Sequence, residues 1–295
     1  MKRNIHAGRQ HRGGIGFNVL SDTDFERIHA STLEVLWKTG IFVQDEEALQ
    51  IFDGGGAMVD SKTKIVKIPS HMIDDAVRSS PEVFILYGRD SKNDVLLEKN
   101  RVTFCPFGTA VRIIVPETQA WQIPTKKDLA DCARLIDYLD HIDTNRRAMS
   151  SYEVDQRVAA VHDAEALLLN TTKHTLTTTQ NGYLARKIIK MLVAVSGSEE
   201  KLRERPIMTF NNCMVTPLKM PQECSEVIIE SARAGLVVQT LSQALAGGTS
   251  PVTLAGTLVL HNAEVLSGLV LSQLVRKGTP FIYCSSTCSM DLRYG

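Results

Sequence analysis

From about residue 102 the chain repeats one pattern, strand then loop then helix, and that alternation constrains its fold more than any other feature. Apolar and β-branched runs at 102–105, 142–149, 174–178, 206–211, 237–242 and 281–284 predict strands. Between them, 126–139, 157–169, 182–196, 222–234 and 253–277 carry helical patterning, with Thr125 placed to cap the first helix and Gly235 to close the fourth. Strands that alternate with helices imply a parallel sheet covered by those helices. Six such units without a G-x-G-x-x-G turn predict an α/β chain of the (β/α)8 TIM-barrel type rather than a dinucleotide-binding sheet. A closed barrel needs eight strands. Six strands, and a last strand followed only by a polar loop, predict a barrel incomplete at its C-terminus.

Ahead of the repeat, residues 21–101 read as an α+β cap region. Ser21 and Asp24 have capping-box spacing, and Phe25, Ile28, Leu33 and Leu36 fall on one helical face up to a stop at Gly40. A second helix over 46–52 runs into Gly54, Gly55 and Gly56. A strand follows at 65–69, then a helix that Ser70 is placed to cap, then a strand at 83–87. Residues 1–20 read as a flexible basic leader, which leaves 102–295 for the partial barrel.

Charge and composition exclude several classes. With 33 basic and 33 acidic side chains the chain has no net charge, which argues against nucleic-acid or anionic-membrane binding. The most apolar stretch, 252–275, contains His261, Asn262, Glu264, Ser267, Ser272 and Gln273. These are costly in hydrocarbon, so it reads as a buried helix rather than a membrane span. The six cysteines contain no C-x-x-C and predict reduced thiols in a cytoplasmic protein.

A barrel of this type places its site where strands give way to loops. Those positions are polar and uncharged: Phe107, Gly108 and Thr109; Ser150 and Ser151; Thr178, Thr179, Gln180 and Asn181; Asn211 and Asn212; Ser242 and Gln243; Ser285, Ser286 and Thr287. Such side chains suit a ligand that needs hydrogen bonds without strong charge, and equally they are the residues turns and helix caps favour. His174 reads either as a core histidine or as a site residue. Two His-x-Ala-Glu patterns, from His162 and from His261, put a His and a Glu on one helical face, so they can be drawn as metal ligands or as helix-to-loop hydrogen bonds. No third ligand accompanies them and no metal is assigned. Asp291 and Arg293 can pair at the surface, and no hydrolase triad or phosphate loop is present.

Several landmarks, taken in order, resemble one known family. They are 28–36 with Thr39, Gly40 and Ile41; Ile65 to Pro69; Leu86 to Asp90; Phe107 to Thr109; Asn170 to His174; Gly247 to Val252; and, most specific, His261 to Gly268. The series is similar to the trimethylamine methyltransferase family of corrinoid-dependent enzymes. The resemblance implies a (β/α) barrel that moves a methyl group from trimethylamine, a small methylated amine, to the Co(I) corrinoid of a cognate corrinoid protein. This chain would bind no cofactor of its own. The methyl donor would sit among the neutral strand ends, with Phe107 and Tyr283 as aromatic neighbours for a cation. Members acting on trimethylamine carry a pyrrolysine whose place falls beyond residue 295, so no catalytic residue is expected within this chain. Relatives acting on quaternary amines such as glycine betaine lack it. A homo-oligomer is the expected assembly. Two further readings stay open: a remnant that binds the corrinoid protein without turnover, and a metal-dependent lyase or hydrolase on a similar barrel.

Overall fold

The computed structural model describes residues 9–10, 19–98, 101–291 and 293. The leader expected at 1–20 lies almost wholly outside the described residues. Among its described residues Arg9–Gln10 forms a short strand, paired antiparallel with Arg101–Val102. The chain folds into two compact units, one made chiefly of Glu82–Phe210, the other of Ile15–Pro81, Asn211–Arg233 and Val238–Gly295.

In the second unit helix α1 (Asp22–Lys38) starts at the expected capping box. The Asp24 N–H donates to the Ser21 hydroxyl, and the Ser21 N–H donates back to the Asp24 carboxylate at 3.0 Å. Its stop is Gly40 at φ +79, where a Cβ would meet the Val66 carbonyl oxygen at 2.6 Å. Helices α2 (Glu46–Gly54) and α3 (Ser70–Ser79) follow. Pro69, not Ser70, is the residue preceding the first turn of α3, and it makes no side-chain cap. A proline just outside the helix has its φ already set and lacks the N–H that would need a partner. A small sheet orders Lys219–Met220, Ile41–Val43, Ile65–Lys67 and Met58–Asp60 beside these helices.

The first unit opens with two antiparallel hairpins, Phe84–Leu86 with Val95–Leu97 and Ile113–Ile114 with Trp121–Gln122. The strand–helix repeat then runs in order: α4 (Lys126–Tyr138), β1 (Asn145–Arg146), α5 (Ala159–Asn170), β2 (Thr175–Thr177), α6 (Gly182–Ser196), α7 (Glu199–Glu204) and β3 (Met208–Cys213). It continues through α8 (Gln222–Ala234), β4 (Val237–Ser242), α9 (Leu254–Val275) and β5 (Phe281–Ser285). The five strands are parallel neighbours in sequence order, and β4 is buried at every position, as a strand covered on both faces must be.

The result is a mixed α/β fold with an open parallel sheet. Among the described residues no pairing joins β1 to β5. Two expected strands are reduced. The 102–105 strand survives only as Arg101–Val102, outside the parallel sheet, and 142–149 contracts to β1. Pro106 has no N–H to continue a ladder. Instead the Asp143 carboxylate accepts from the Phe104 N–H at 2.6 Å, and the Phe104 carbonyl accepts the Asp143 N–H at 2.7 Å. Side-chain bonding of that kind replaces strand pairing.

Helix α9 is the core element of its unit and packs against α1, α2 and α3. Among the described residues it is the one helix long and apolar enough to cross a membrane, yet His261, Glu264, Ser267, Ser272 and Gln273 on it are all buried within the protein. Their hydrogen bonds and the apolar cluster of Leu266, Leu269, Val270 and Leu271 make it a protein-core helix.

Candidate functional site

In the first unit the ends of β1 and β2 are organised by one buried ion pair. Asp163 on α5 accepts from the Ser150 hydroxyl at 2.8 Å and from both the N–H and the hydroxyl of Ser151, at 2.9 and 2.6 Å. Its fourth partner is the Arg147 guanidinium at 3.1 Å. Arg147 also reaches the hydroxyls of Thr178 and Thr109. Burial pushes this guanidinium down from its ordinary range, and Asp163 opposes that by favouring the charge. Gly108 is required here because a Cβ would lie 2.1 Å from the Arg147 carbonyl oxygen. A carboxylate with four donors and a multiply bonded guanidinium form a rigid support.

The second unit repeats the device. Glu264 on α9, fully buried, accepts from the Ser242 hydroxyl at 2.6 Å, the Thr216 hydroxyl at 2.9 Å and the Leu218 N–H at 2.9 Å. Burial raises its carboxyl above the usual range, with these three donors pulling the other way. One turn earlier His261 meets the Thr287 hydroxyl through Nδ1 at 2.8 Å and lies 5.2 Å from the Tyr283 ring. The Tyr283 hydroxyl donates to Asn262 on α9 at 3.0 Å. The Ser286 N–H donates to the Ser242 carbonyl at 3.0 Å, which holds the 285–287 loop at the end of β4.

The expected residues sort by environment. Thr109, Ser242, Ser285 and Ser286 sit in these strand-end networks. Asn181 is the N-cap of α6, accepting the Leu184 N–H at 2.9 Å. Phe107 is 84% exposed, and Gln180 and Gln243 are also exposed. Tyr283 faces α9 rather than the opposite face of the sheet. His174 is at the opening end of β2, away from the strand ends, wholly buried between the Tyr87 carbonyl and the Thr209 hydroxyl, each 2.9 Å away. Asn211 and Asn212 are buried in β3; the Asn212 amide donates to the Gln239 carbonyl at 3.1 Å.

Of the two His-x-Ala-Glu patterns, the first points outward. Lys126 bonds Glu165 at 2.6 Å and lies 3.3 Å from His162, while the intervening Asp163 turns inward. The second makes the helix-to-loop bonds through Glu264. Among the described residues no group of three His, Cys, Asp or Glu side chains is placed to hold a metal ion. Sequence reasoning passed over Arg147 and Asp163 because neither stands in a motif: Arg147 directly follows β1, and Asp163 is the variable position of a His-x-Ala-Glu pattern on α5. Their signal was that an acidic residue amid Ala and Leu must find buried donors.

Known proteins resemble this chain along its length. The profile of the family described as "Trimethylamine methyltransferase (MTTB)" matches residues 4–295. The trimethylamine methyltransferase MttB of Desulfitobacterium hafniense is 46% identical over 98% of this chain and 58% of its own length. That of Methanosarcina barkeri is 38% identical over 100% of this chain and 60% of its own length. A glycine betaine methyltransferase of Desulfitobacterium hafniense is 27% identical over 95% of this chain and 58% of its own. The chain therefore spans about three fifths of the length of the curated relatives it matches. Among solved structures, the Methanosarcina barkeri monomethylamine methyltransferase superposes with a TM-score of 0.53 at 12% identity, covering 92% of this chain and 61% of that one. At that identity the likeness is one of fold.

Proposed function

Because this chain belongs to the trimethylamine methyltransferase family, we propose that the protein carrying it moves a methyl group from trimethylamine to the Co(I) corrinoid of a cognate corrinoid protein. The observation that carries this reading is the family match over nearly the whole chain, with far higher identity to trimethylamine enzymes than to the glycine betaine one. We read β1 to β5 as part of a (β/α)8 barrel whose remaining strands lie in the additional length that the relatives have.

The corrinoid of the partner protein, as Co(I), would supply the electron pair for the new bond to the methyl carbon. With the amine protonated, the C–N pair would stay with nitrogen and neutral dimethylamine would leave. This chain's residues serve binding and orientation. Within each unit, taken by itself, neutral strand ends are braced by a buried carboxylate, Asp163 in the first and Glu264 in the second. Such ends are of the kind that suits a small methylated ammonium needing a fixed C–N direction and exclusion of water. No catalytic side chain is assigned here, since the family's pyrrolysine is expected beyond residue 295. None of the six cysteines is joined in a disulfide, and a cytoplasmic setting remains part of this proposal. A homo-oligomer is the assembly we expect.

The test is an absorbance assay with the full product of the gene and its corrinoid protein reduced to Co(I). Trimethylamine should convert the Co(I) spectrum to that of methyl-Co(III), with dimethylamine released in equal amount. Conversion with glycine betaine alone would establish the quaternary-amine reading instead, and no conversion with either would overturn methyl transfer.

A further inference from the structure

Besides the Thr240 hydroxyl, two buried side-chain oxygens of the second unit, both able only to accept, are left without a partner among the described residues: Asn211 Oδ1 on β3 and Gln239 Oε1 on β4. The residues are only 6% and 2% exposed. A buried acceptor without a donor carries the full desolvation penalty of its group, so natural structures keep few of them and each calls for an explanation.

Strand register brings the two together. The Val238 N–H donates to the Pro280 carbonyl where Val238 lies opposite Phe281, so a donor pairs one residue before the position it faces. The Met214 N–H donates to the Leu241 carbonyl in the same way and sets Met214 opposite Ser242. Counting back along both strands sets Asn211 opposite Gln239, whose neighbour on β5 is Ile282. Side chains alternate between faces along a strand. Thr240 and Ser242 face α9, through Gly268 and Glu264 respectively. Gln239 therefore lies on the face away from α9, and its register partner Asn211 shares that face. The two amides stand side by side on the covered face of a parallel sheet, next to an apolar isoleucine.

We propose that Asn211 and Gln239 form the binding point for the ammonium of the methyl donor. Their carbonyl oxygens present two negative dipole ends to the cation, and one of them accepts its N–H. This deepens the methyltransferase reading and rests on it. A neutral acceptor pair holds a methylated cation without a full negative charge. A carboxylate here would bind the ground state strongly while adding nothing specific to the transition state. A tertiary ammonium satisfies one acceptor by hydrogen bond. A quaternary ammonium has no N–H and is held by charge and dipole alone, so the pair also discriminates between the two donor classes.

The experiment uses the full product of the gene, its corrinoid protein, and the variants Gln239→Leu and Asn211→Leu. KM for trimethylamine should rise by about tenfold or more in each, as expected for loss of a hydrogen bond to a charged group, with kcat changing much less. Thermal stability should hold or rise, because each substitution removes an unsatisfied buried acceptor. Unchanged KM, or a fall in stability with unchanged KM, would overturn the pair while leaving methyl transfer intact. Should the wild type transfer no methyl from trimethylamine, the functional reading fails separately. The pair is then judged by calorimetric titration with trimethylammonium chloride, where equal heats for wild type and variants, or none, would overturn it.

Discussion

Two hydrogen bonds determine the chemical state of the His174 imidazole. A carbonyl can only accept, so Nδ1 carries the proton toward Tyr87, and Nε2 is left to accept the Thr209 hydroxyl. With no acidic partner, burial dominates and drives the imidazole from 6.5 to about 4. The histidine is thus neutral in the fold and far readier to charge when unfolded. Its contribution to stability is full above pH 6.5 and is lost as pH falls through about 4, a span worth on the order of 3 kcal/mol. We expect His174→Gln, which keeps a donor and an acceptor, to be less stable than wild type at pH 7 by about 1 kcal/mol. The gap should close and then reverse as pH drops toward 4. Denaturant melts of both proteins at a series of pH values test this, and a gap that stays constant with pH would refute it. In the sequence this residue stood evenly between core and site. Histidine in an apolar strand fits both, and only the position of its two partners separates them.

At the level of elements, the parts legible in the sequence were those whose physics is local. The Ser21 and Thr125 capping boxes, the stop at Gly40 and the five strand–helix units need only neighbours a few residues away. Where a distant group intervened, the reading missed. The Asp143 carboxylate took the Phe104 N–H and shortened two strands, and Arg147 and Asp163 met only because α5 folds back on its own strand. The small-residue helix from Leu254 to Val275 was visible in the sequence, but the reason for its glycine was not. A Cβ at Gly268 would lie 2.5 Å from Thr240 Oγ1 and 2.8 Å from its Cγ2. Gly268 thus sets how closely α9 approaches β4, within the same unit that holds the Glu264–Ser242 bond. Gly268→Ala should cost about 2 kcal/mol by overpacking, beyond any gain in helix propensity. Thr240→Ala, which removes both clashing atoms, should recover a good part of that cost in the double variant. Unfolding free energies for the four proteins of this cycle give the coupling, and strictly additive effects would mean that the contact does not limit the approach.

At the scale of the whole molecule the sheet itself carries the argument. Five parallel strands in sequence order, each followed by its helix up to β5, are the geometry of a winding sheet, and β1 and β5 are its two edges. A parallel sheet is stable when both faces and both edges are covered, and a barrel removes the edges altogether. β5 pairs with β4 over five positions, Val238 with Phe281 through Ser242 with Ser285, and is only partly buried where β4 is fully buried. If the barrel closes in the full product of the gene, the strand beyond β5 will take up the amides that β4 does not. Hydrogen exchange separates the cases. In the 295-residue polypeptide, amides of Phe281–Ser285 should exchange much faster than those of Val237–Ser242, because an edge strand opens without breaking the rest of the sheet. In the full product the two strands should be protected alike, and methyl transfer should be found there and not in the shorter polypeptide. Equal, slow exchange of Phe281–Ser285 in both proteins would mean that β5 needs no further strand, and the eight-stranded reading would fall while the family membership stood.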